Sequence, residues 1–132
     1  MTMTDAEFLR AFEECTLPGA SFHHREHVRL AWLCVRESGE AGAETRIAEG
    51  IRRYAESLGA TAKYHPTLTL FWVRVCASAL RATPGLETFD EFAAAHPHLL
   101  DKALVDRHYS AARLASPAAR EDFLAPDLAP LA

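Results

Sequence analysis

Apolar positions recur along most of this chain at helical spacing and nowhere alternate as they do in strands. Thr4 followed by Glu7 has capping-box spacing, so a first helix is expected from Asp5, with Phe8, Leu9 and Phe12 turned inward. Leu17, Pro18 and Gly19 end it. Ser21 suits the N-cap of a second helix, which runs to about Glu37 and stops at Ser38 and Gly39. Ile47, Ile51, Tyr54 and Leu58 define a third, closed by Gly59, whose Arg and Glu residues read as a solvated face. A fourth starts near His65, takes Pro66 in its first turn and continues to about Ala82. Its polar strip is narrow, the mark of a mostly buried central helix. Thr88 and Glu91 repeat the capping box and open a short fifth helix, which His96, Pro97 and His98 interrupt. Leu99 to His108 reads as another helix, Ser110 as the start of a further turn, and Ser116 with Pro117 as the start of a last short helix. The tail LAPDLAPLA has too many prolines for helix and should lie extended over the surface. The pattern predicts an all-α, single compact bundle of about five to seven helices with residues 1–132 in one domain.

Composition narrows this without redirecting it. With 132 residues and 49% hydrophobic content, the chain can build one core and is too short for two ordinary domains. A net charge of -4 and scattered basic residues argue against broad nucleic-acid binding. No apolar run approaches the roughly 20 residues that cross a bilayer, so no membrane partner is expected. The first residues carry acids before any arginine and lack the apolar core of a secretion signal, which points to the cytoplasm. Cys15, Cys34 and Cys76 are odd in number and never spaced as CxxC. Cys34 and Cys76 fall on apolar faces and read as reduced, buried side chains.

Candidate chemistry concentrates in Ser21 to Val35, SFHHREHVRLAWLCV. At about 100° per residue, His23, His24 and His27 share a broad arc with Val28, Leu30, Ala31, Cys34 and Val35. They therefore point inward, where an unpaired ring nitrogen costs on the order of 1–3 kcal/mol. If the second, third and fourth helices run up, down and up, the second and fourth are parallel, and His24, His27 and His65 meet at one mouth of the bundle. His108 is placed to return there after the Thr83 to Glu87 turn.

Two chemistries fit this convergence. In the first, the protein is a small metal-dependent enzyme acting on a small organic, anionic substrate. His24, His27 and His65 hold one divalent ion of zinc or non-haem iron type, with Glu26 or Asp106 as an added carboxylate. Tyr64, Glu26 and His108 are the candidates for proton transfer. Arg25, Lys63, Thr67, Thr69, Trp72, Arg107 and Tyr109 are the candidates for substrate contact. In the second, a metal-free binding module captures a small anion with helix amino termini, His, Arg and Lys. A third, blander reading makes the histidines internally hydrogen-bonded parts of a structural protein. His23 then caps or faces solvent, His96 and His98 serve a loop, and Trp32 and Trp72 are core or pocket wall. HHREH is not the HExxH protease motif, since glutamate is absent beside the first histidine. No serine elbow or glycine-rich phosphate loop exists among six glycines, and Cys76 lies three helical turns from His65.

Three stretches of the chain resemble a group of small, helical bacterial proteins. They carry F-x-H-R-x-H-x-R-x-A-W at Phe22, His24, Arg25, His27, Arg29 and Trp32, then K-Y-H-x-T-x-T at Lys63 to Thr69, and Arg107 to Ser110 with a late S-P-x-A-R. The resemblance spans most of the chain and implies that these residues belong together. It implies no reaction. That group usually has an acid at the position of Pro66, so no carboxylate role carries over there.

Overall fold

The structure, a computed structural model, describes residues 3–60 and 64–131. Helix α1 (Asp5–Glu13) starts at Thr4, whose hydroxyl accepts from the Glu7 N–H while Glu7 returns a carboxylate to the Thr4 N–H. The longest helix, α2 (His24–Ser57), is broken at Gly39, where φ 73° and ψ 173° leave the helical region for one that only glycine enters freely. The second and third helices of the sequence pattern are its two halves. Helix α3 (Pro66–Ala82) packs chiefly on α2, and α4 (Phe89–Ala95) begins with the Thr88 and Glu91 capping box. Two short helices, α5 (Ala111–Ala115) and α6 (Pro117–Glu121), start at Ser110 and Ser116. The all-α expectation holds: among the described residues there is no strand. No helix among them is long and apolar enough to cross a membrane.

Phe8, Phe12, Trp32, Phe71, Phe92 and Tyr109 are almost fully buried in a core that runs between α1, α2, α3 and α4. Burying a side chain of this size contributes about 1.5–3 kcal/mol. The close approach of α1 to the second half of α2 depends on Gly50, where an added Cβ would stand 2.6 Å from the Phe12 ring. One polar atom in the core is orphaned: the Trp32 indole N–H has no partner, while the Arg36 guanidinium lies 4.4 Å over the ring.

Three expectations need correction. The acids and arginines of the second half of α2 are more than a solvated face. Arg46 bridges Glu13 at 3.0 Å and Glu37 at 3.1 Å, Glu44 pairs with Arg74 at 2.8 Å, and Glu40 pairs with Arg81 at 2.7 Å. The N-cap of α2 is His23 and not Ser21, which lies in a short 3₁₀ turn, Gly19–Ser21. Leu99 to His108 is not one helix but the 3₁₀ segments Pro97–Leu100 and Lys102–Arg107. The break falls at Asp101, which is extended and whose carboxylate accepts from the Ala103 N–H, so a new turn is capped before the old one can continue.

The proline-containing tail forms no helix among its described residues, as expected, and it bends at residues 127–129 and is tied down. Asp127 accepts from the backbone N–H and hydroxyl of Ser110, Arg113 donates to the Ala125 carbonyl, and Leu128 N–H donates to the His108 carbonyl.

Candidate functional site

The start of α2 combines two local devices. His23 N–H donates to Glu26 at 2.9 Å, with His23 Nδ1 3.1 Å from the same oxygen. Phe22, just before the cap, stacks on His27 in the next turn with ring centroids 4.0 Å apart and planes 19° from parallel. These are the positions of a hydrophobic staple, with an imidazole in place of the usual apolar partner. His24 turns the other way. Its Nε2–H donates to the Leu99 carbonyl at 2.8 Å, and its ring meets Trp72 edge-on at 4.4 Å.

Helix α3 starts at the same end of the bundle. His65 is its N-cap: Nδ1 accepts from the Leu68 N–H at 3.2 Å, and Nε2–H donates to the Leu114 carbonyl at 2.9 Å. The carbonyl partners fix the tautomers of His24 and His65, because a carbonyl oxygen can only accept.

Between the two helix starts lies a cleft of about 720 Å³. His23, His24, His27, His65, Thr69 and Trp72 line it, with Phe22, Ile51, Leu68 and Val105 as apolar wall. Lys102 stands at its edge, delivered there by the 3₁₀ segment that replaces the expected helix. Its ammonium makes no ion pair among the described residues.

Burial holds the His27 pKa down to about 4, helped by the neighbouring His24 and Lys102 charges and opposed by Glu26. Burial likewise lowers His24, against the hydrogen bond to Leu99. Both are neutral near pH 7. They differ in one respect: His24 has a protein partner, whereas neither ring nitrogen of His27 has one among the described residues. The Thr69 hydroxyl also lacks one.

The remaining candidates are placed elsewhere or are already engaged. Arg25 borders the cleft, but its guanidinium is held by Asp90 at 2.8 Å and lies over the Phe89 ring. Glu26 is consumed by the His23 cap. Thr67 is fully buried, donates to the Ala119 carbonyl at 2.8 Å and accepts from the Leu124 N–H at 3.1 Å, so it cannot reach a substrate. Tyr109 is buried and donates to the Leu124 carbonyl at 2.6 Å. His108 does not return to the mouth: its Nδ1–H donates to the Ala129 carbonyl at 2.9 Å, and its ring lies by Phe71. Arg107 and Asp106 are exposed and outside the cleft lining. Tyr64 lines a smaller adjoining pocket and not the cleft itself; burial raises its pKa. Lys63 lies outside the described residues.

The three-histidine metal set is therefore brought to one cleft without being free to ligate, since both nitrogens of His65 are committed. Among the described residues, no three His, Cys, Asp or Glu side chains are grouped to hold a metal ion. Sequence reasoning missed Lys102, because a continuous helix gave it no distinctive position. Phe22 was detectable as the staple residue one position ahead of the cap. Cys34 and Cys76 are buried, with their thiols pushed up to about 11 and about 12, which leaves them protonated. No protein-family model, curated protein or solved structure matches this chain.

Proposed function

We propose that this protein binds a small organic anion in the cleft between the starts of α2 and α3, without a metal ion. The observation that carries the reading is His27: a neutral, half-buried imidazole with no hydrogen-bond partner for either nitrogen among the described residues, on the wall of a cleft edged by Lys102, which makes no ion pair among them. A ligand oxygen in the cleft can accept from the His27 N–H, which no group among the described residues does. Lys102 supplies the charge that favours an anion. The apolar walls suit the body of an organic molecule better than a bare inorganic ion.

The test is a titration of tryptophan fluorescence, in which Trp72 reports on the cleft, with benzoate, hexanoate and inorganic phosphate. Saturable binding of the carboxylates, weakened at least tenfold in Lys102→Ala, is the expected result. No saturable response to any of the three would remove the reading.

A second reading, a metal-dependent enzyme, draws on one specific observation. His24 and His65 each donate Nε2–H to a main-chain carbonyl, the arrangement that orients histidine ligands and presents Nδ1 to an ion. It requires His65 to release the Leu68 N–H. Near-stoichiometric zinc or iron in untagged protein, lost in a His24→Ala, His27→Ala double variant, would favour it over the metal-free reading.

A further inference from the structure

The cleft has a neighbour that the proposed function does not use. A pocket of about 200 Å³ lies between the Gly19–Ser21 turn and the carboxyl end of α2, and it shares Phe22, His27 and Ile51 with the cleft. The two spaces meet at the Phe22 and His27 stack. Beyond it the walls are Gly19, Tyr54, Ala55, Leu58, Ala60 and Tyr64, and among the described residues no charged side chain lines the pocket. Tyr54 faces it with its hydroxyl already spent on the Leu17 carbonyl at 2.7 Å, so it offers the occupant only its ring. Leu58, on the pocket's wall, is 50% exposed, one of the few large apolar side chains left to water among the described residues.

From this division we infer that the ligand is bipartite: an alkyl carboxylate whose head group lies by His27 and Lys102 and whose chain passes the Phe22 and His27 stack into the smaller pocket. The inference rests on the proposed anion site and adds the class of molecule it takes. Charge sits on one side of the stack and, apart from the Tyr64 side chain, mostly apolar surface on the other, so a molecule polar at one end and largely apolar along its length matches both. The smaller pocket, about 200 Å³ against about 720 Å³ for the cleft, suits a short to medium chain. His27 belongs to both spaces, so its ring edge can donate to the carboxylate while its face packs on the first methylenes.

The experiment is a chain-length series, acetate to dodecanoate below their micelle concentrations, titrated by calorimetry into the full chain and into Ala55→Phe, whose added ring fills the smaller pocket. Affinity should rise about fourfold per methylene, then level at a medium chain, and in Ala55→Phe it should level several carbons earlier. Circular dichroism and thermal melting check that the variant is folded; the wild-type series stands without it. Equal binding of all lengths would overturn the chain pocket and leave the anion site standing. A rise that continues through dodecanoate and ignores Ala55→Phe would mean adsorption to the surface and would also overturn it. Failure of every carboxylate, acetate included, would overturn the anion site itself.

Discussion

Two regions of this molecule hold the same kinds of side chain in opposite states. Against α6 and the tail, the hydroxyls of Thr67 and Tyr109 and Nδ1 of His108 are hydrogen-bonded to main-chain groups, although Thr67 is only two residues from the cleft's Thr69 in α3. At the mouth between α2 and α3, His27, Thr69 and Lys102 have no partner among the described residues, though they line a cleft walled by Trp72 and Phe22. Residue type alone does not distinguish a latch from a site. Satisfaction does: a polar group already matched by backbone stabilises the fold, and one left unmatched beside open space is available to a ligand.

Acid should separate the two regions most strongly. The His27 pKa is lowered in the fold to about 4, from an ordinary value near 6.5, so the unfolded chain binds the proton first as pH falls. Its contribution is intact above about pH 6.5 and is lost between there and about pH 4, by up to about 3 kcal/mol. His24 shifts in the same direction and adds to the loss. Urea denaturation across this range should show the decline in the wild type and a shallower one in His27→Leu. At neutral pH, His27→Leu should be as stable as the wild type, since it removes no hydrogen bond.

Thr67→Val should do the reverse, lowering stability by about 2 kcal/mol at all pH values because it strands the Ala119 carbonyl and the Leu124 N–H. Tyr109→Phe loses one bond to the Leu124 carbonyl and should cost about 1 kcal/mol. Chemical denaturation measures both, and carboxylate binding should survive in each. The smallest effect belongs to Arg25→Ala. The pair with Asp90 is exposed, so the loss should stay below about 1 kcal/mol, and hexanoate affinity should change less than twofold. A large loss of affinity there would mean that Arg25 leaves Asp90 to hold the ligand.

Much of the frame was legible because it is written locally. Thr4 with Glu7 and Thr88 with Glu91 announce their helices, Gly39 announces the break in α2, and the apolar stripe of α3 marks it as central. The start of α3 at His65 could be read in the same way and that of α2 to within two residues, at Ser21 where the cap is His23, and with them the meeting of His24, His27 and His65 on one cleft. What was illegible depends on partners distant in sequence. Nothing around Thr67 or Tyr109 says that a tail more than a dozen residues away will occupy their hydroxyls. Nothing around Leu99 says that Asp101 will cap a new turn and move Lys102 to the cleft edge. The helix period placed His24 and His27 but wrongly turned His23 inward, since as the cap it is exposed, and only the folded contacts tell that His65 is spent and His27 is not.

The most direct measurement is the ring-nitrogen NMR spectrum of histidine-labelled protein, titrated with pH and then with hexanoate. The account predicts a His27 resonance that stays neutral to well below pH 6, moves when hexanoate saturates the protein, and moves less at equal concentration in Lys102→Ala. The His108 signal should not respond to hexanoate. A His27 that titrates near pH 6.5 and ignores hexanoate would contradict the account at its centre.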